Sequence, residues 1–82
     1  WGVEAVIRHA SQGRSGVSSI AVDARGERLI FAFADPALDT DPSWLPLARL
    51  ASADAVLSDL RWPRAAELVL GEARRLGVPS VL

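Results

Sequence analysis

The sequence contains no cysteine and no lysine, and its acidic and basic residues nearly cancel at a net charge of −1. Each absence closes a class of function. Without cysteine there are no disulfides and no thiolate metal sites, which fits a reducing interior, and a cytoplasmic location is expected. Without an excess of cations there is no basic face for a phosphate backbone, so no nucleic-acid partner is expected. The longest apolar runs reach only about five or six residues, too short to span a membrane, and no secretory leader pattern opens the chain. No membrane partner is expected either. All nine cations are arginine. They are spread along the whole chain, which suggests a coding bias rather than a binding face.

Half of the 82 residues are apolar, so the material for a core exists, and a chain of this size buries roughly 60–65% of its unfolded surface. Residues 1–8 alternate loosely and suit a short strand; the polar, glycine-containing stretch 9–16 reads as a loop. Residues 17–22 and 28–33 flank the turn residues Asp23 and Gly26, which predicts a β-hairpin over 17–33. Its second strand places Leu29, Phe31 and Phe33 on one face. Its first strand interrupts both faces with serine, at Ser18 and Ser19. Residues 35–41 are loop by composition. Asp41 and Pro42 then predict a helix start, with the helix running over 43–52 and Trp44, Leu47 and Leu50 facing inward.

Residues 53–82 carry the strongest pattern: a buried strand over 53–58, a polar turn, an amphipathic helix, and a second strand over 78–82. Pro63 opens that helix. Ala66, Val69, Leu70, Ala73 and Leu76 form its apolar stripe, and Gly77 followed by Pro79 ends it. The pattern is a βαβ unit, whose two strands must run parallel.

In open α/β sheets ligands sit beyond the carboxyl ends of the strands, which here means Asp59, Leu60, Arg61 and Trp62. A carboxylate there can accept hydrogen bonds from hydroxyls, and an arginine fork can grip a phosphate or carboxylate in two places. The competing reading pairs Asp59 and Arg61 with each other, or with capping N–H groups, and packs Trp62 on the helix start. Ser18 and Ser19 either face a ligand or lie wet on an edge strand. Asp35 is either a ligand contact or a turn former. His9 has no companion ligand at metal spacing and reads as a solvated loop residue; Trp1 and Trp44 read as packing residues.

Taken in order, GVSSIAVDARGERLIF, a loop ending in DPAL, ADAVLSDLRWP, a helix and GVPSVL resemble the middle of a ribokinase/PfkB-type carbohydrate kinase. The resemblance covers residues 2–82. The tripeptide Asp59-Leu60-Arg61 before Trp62-Pro63 is most similar to the ketohexokinase-like branch. The resemblance implies an α/β fold: a β-lid hairpin plus the βαβ segment of a three-layer sandwich, with 1–82 a single partial domain. It implies an ATP-dependent, magnesium-assisted transfer to a sugar hydroxyl, with Ser18 and Ile20 on the lid approaching the sugar. Asp59 and Arg61 would position its hydroxyls or a charged group. Asp35 falls where the family often has an asparagine, a departure that leaves this contact open. The family's amino-terminal glycine pair and its GAGD run with the catalytic aspartate are not in these residues, so neither a catalytic residue nor an ATP or magnesium site is assigned among them. The chain is expected to stop just before the aspartate that follows VPSVL in the family, as a piece of a larger enzyme. A homodimer through the lid is a further expectation. The alternatives are a non-catalytic α/β ligand-binding or interaction module, and a degenerate remnant acting through lid-to-lid contact.

Overall fold

Strand pairing and helix termination place the strands and the α-helix among the described residues. A computed structural model describes residues 1–38 and 41–82; the expected loop over 35–41 therefore lies outside the described residues at Asp39 and Thr40. The described residues hold two two-stranded sheets and one α-helix, a small α/β content. They fall into two compact units, Trp1–Asp39 and Thr40–Leu82.

In the first unit, β1 (Val17–Val22) and β2 (Arg28–Phe33) form the expected antiparallel hairpin. The loop is three residues, Ala24, Arg25 and Gly26, closed by the Asp23 N–H donating to the Glu27 carbonyl at 3.0 Å. Gly26 sits at φ 83°, a left-handed conformation that favours glycine. The Asp23 carboxylate locks the turn by accepting the N–H groups of Arg25 and Glu27. The register pairs Val17 with Phe33, Ser19 with Phe31 and Ala21 with Leu29. One face therefore carries Val17, Ala21, Leu29, Phe31 and Phe33. The other carries Ile20, Val22, Ile30 and Ala32 beside Ser18 and Arg28. Both faces are apolar and both are exposed, with Phe31 at 61% and Ile20 at 57%. Residues 1–10 form no strand. Their loose alternation meets no partner chain, and a strand exists only where a ladder closes.

In the second unit the βαβ pattern is realised. β3 (Val56–Leu57) and β4 (Ser80–Val81) run parallel, Val56 opposite Ser80 and Leu57 opposite Val81. The Val56 N–H donates to Pro79 and the Ser58 N–H to Val81. Both strands are shorter than expected because each is paired only where the other reaches it; Ala53, ahead of β3, already has an extended backbone (φ −86°, ψ 140°).

Between them runs α1 (Pro63–Leu76). Proline suits its first position, where the missing N–H is not needed. Its end is a Schellman arrangement: Gly77 is left-handed at φ 71°, its N–H reaches Arg74, and the Val78 N–H reaches Ala73 at 2.9 Å. Ala65, Ala66 and Ala73 are buried on its inner side, with Val69, Leu70 and Leu76 half-buried. Val56 from the strand side and Pro42 complete the buried set among the described residues.

The expected helix over 43–52 does not form as such. A 3₁₀ helix covers Leu47–Ser52 instead, after a turn at 42–45. Pro46 is the reason. A helix begun at Pro42 needs the residue 46 N–H for the Pro42 carbonyl, and proline has none. The Leu45 N–H takes that carbonyl instead, at 3.0 Å. Trp44, Leu47 and Leu50 are half-buried all the same, and α1 packs against the 3₁₀ helix.

Candidate functional site at the carboxyl end of β3

β3 ends at Leu57, and the chain crosses to α1 through Ser58, Asp59, Leu60, Arg61 and Trp62. Asp59 shapes this crossing, its Oδ1 accepting the Arg61 backbone N–H at 3.0 Å. The Ser58 hydroxyl donates to the Asp59 carbonyl at 3.3 Å. A cleft of about 560 Å³ opens beside it. Its walls are Leu57, Ser58 and Asp59 from the strand end, Trp62, Ala65, Ala66 and Val69 from α1, and Leu45 from the preceding turn. The volume lies within the range usual for small-molecule sites. Its lining is apolar with one carboxylate and one hydroxyl, a composition that can orient a small polyhydroxy ligand.

Asp59 and Trp62 are thus brought to one cleft. Arg61 is not: its side chain is exposed and does not line the cleft. Among the described residues the Asp59 carboxylate meets the Arg61 backbone N–H and not its guanidinium. Leu45 was not singled out by the sequence; its neighbour Trp44 was, as a packing residue. Trp44 in fact stacks on Trp62, with ring centroids 6.0 Å apart and planes at 29°. The signal was two tryptophans flanking one strand, which no periodicity connects.

The other sequence candidates lie in the first unit. Ser18 and Ile20 share one face of the hairpin, opposite Ala32 and Ile30 respectively. Ser19 lies on the other face, opposite Phe31. Asp35 is half-buried just past β2, its Oδ1 accepting the Ala37 N–H at 2.9 Å and its Oδ2 the Arg14 N–H at 2.8 Å. His9 is exposed, and among the described residues no three His, Cys, Asp or Glu side chains gather as a metal ion would require. No helix among the described residues is long and apolar enough to cross a membrane. No known family model matches the chain.

Proposed function

We propose that these residues are the lid and part of the sugar site of an ATP-dependent carbohydrate kinase of the ribokinase type, built on that family's three-layer sandwich. The observation that carries the reading is the Asp59 carboxylate in an open cleft at the carboxyl end of a parallel strand, one turn before a helix begins. The hairpin, with two exposed apolar faces, has the form of a lid that covers a substrate and excludes water on closing. In this reading Asp59 accepts hydrogen bonds from sugar hydroxyls, and Arg61 swings its free guanidinium onto the same ligand. Ser18 and Ile20 approach the sugar from the lid. ATP and magnesium supply the phosphoryl group and neutralise its charge; no residue of this chain is assigned to them.

The test is ADP release by the full-length protein supplied with ATP, magnesium and a panel of pentoses and hexoses. Release that depends on one of the sugars supports the kinase. Absence of sugar-dependent release across the panel removes it. A second reading, a non-catalytic interaction module, is favoured by the exposure of both hairpin faces; it is supported if sugar or a protein partner binds without ADP release.

A further inference from the structure

Beyond the last hairpin pair, Val17 opposite Phe33, the ladder ends and nothing in the strand pattern holds the two chain segments together. Asp35 does. Its Oδ2 accepts the Arg14 N–H at 2.8 Å and its Oδ1 accepts the Ala37 N–H at 2.9 Å, while its own carbonyl accepts the Leu38 N–H at 3.1 Å. One carboxylate therefore bonds the segment entering β1 and the turn leaving β2, two stretches that lie 21 residues apart at Arg14 and Asp35. Gly13 fits against the same turn. A Cβ there would meet the Leu38 backbone nitrogen at 3.1 Å, and its φ of 95° is in the left-handed region. Every other described residue of the first unit is exposed; Asp35 is half-buried.

We propose that Asp35 is a clasp at the base of the hairpin, a positioning residue that makes the hairpin pivot on two joined segments rather than on two independent ones. Each of its oxygens accepts a backbone N–H from a different segment, so the two segments are joined through one side chain. The clasp itself is independent of the kinase reading; only its effect on lid closure rests on it.

Amide exchange at Arg14 and Ala37 in the full-length protein tests this. Asp35→Ala removes both acceptors, and both amides should exchange about tenfold faster or more, as expected for a lost charge-assisted bond. Amides in the middle of β1 and β2 should stay within about twofold, since the ladder does not use Asp35. Asp35→Asn keeps one acceptor oxygen and should release only one of the two amides. Gly13→Ala, which leaves the carboxylate in place, should speed Arg14 alone by displacing the segment that carries it. Wild-type exchange at Arg14 and Ala37 in Asp35→Ala overturns the clasp. So does a rise in sugar KM in Asp35→Asn with exchange unchanged, because that marks a direct ligand contact. A wild-type protein that phosphorylates no sugar leaves the exchange result standing, so the two proposals fail separately.

Discussion

Asp23, Asp35, Asp41 and Asp59 each accept, through Oδ1, the backbone N–H of the residue two places on: Arg25, Ala37, Ser43 and Arg61. The short carboxylate mimics a backbone carbonyl and so builds a turn wherever the chain leaves a strand or enters a new segment. This explains why the role of Asp59 stayed open in the sequence. A turn-forming aspartate and a ligand-binding one look alike in one dimension, and Asp59 differs from the other three in standing at the carboxyl end of a parallel strand beside a cleft of about 560 Å³. Asp59→Asn retains an oxygen for the Arg61 N–H, so its thermal midpoint should stay near wild type; in the proposed kinase the sugar KM should rise about tenfold, the loss of one hydrogen bond to a charged group. In the same proposed kinase Arg61→Ala should raise the sugar KM by a similar factor and leave the nucleotide KM unchanged. An unaltered sugar KM removes Arg61 from the site. Gly77→Ala should cost about 1–2 kcal/mol, because alanine is strained at φ 71°; the urea midpoint measures it.

At the scale of elements, the hairpin and α1 were legible to the residue because their signals are local. Two alternating runs around Asp23 and Gly26, and a 3.6-residue stripe between Pro63 and Gly77, need no distant partner to be read. The segments 1–8 and 43–52 were not, for opposite reasons. The first lacked a partner strand, and the second had one proline a single turn too deep. Within α1, Ala73 is fully buried where the helix turns toward β4, so Ala73→Leu should destabilise by about 1–3 kcal/mol through overpacking. On the opposite side Arg75 grips Glu72 in a two-point ion pair, Nε to Oε2 at 2.8 Å and Nη2 to Oε1 at 2.6 Å. That hydrogen bonding holds the Glu72 carboxyl below its ordinary value and raises the Arg75 guanidinium above its own. A lowered carboxylate contributes stability that is present above the ordinary glutamate value, about 4.3, and lost as the pH falls through the lower folded value. Glu72→Gln should therefore flatten the acid limb of stability against pH, slightly and less at high salt, since the pair faces water.

For the molecule as a whole, the decisive quantity is how little is covered. In the first unit no described residue is buried, and in the second the buried set is one valine, three alanines and Pro42. A lone two-stranded hairpin is marginal in water, and large exposed apolar faces invite association. The 82-residue chain by itself should therefore unfold without a sharp transition or self-associate, as sedimentation and urea titration would reveal. A cooperative monomer would contradict this.

The Trp44–Trp62 pair has an optical consequence. Two indoles 6.0 Å apart and inclined by 29° couple their transitions, and such coupling produces a paired band of opposite signs in far-ultraviolet circular dichroism. Trp1, fully exposed, contributes none of it. The band should vanish in Trp44→Phe while the helical signal of α1 persists, which makes it a built-in reporter of whether the turn at 42–45 stays seated on the helix start. Followed during ligand titration, it would register events at the cleft without any added label.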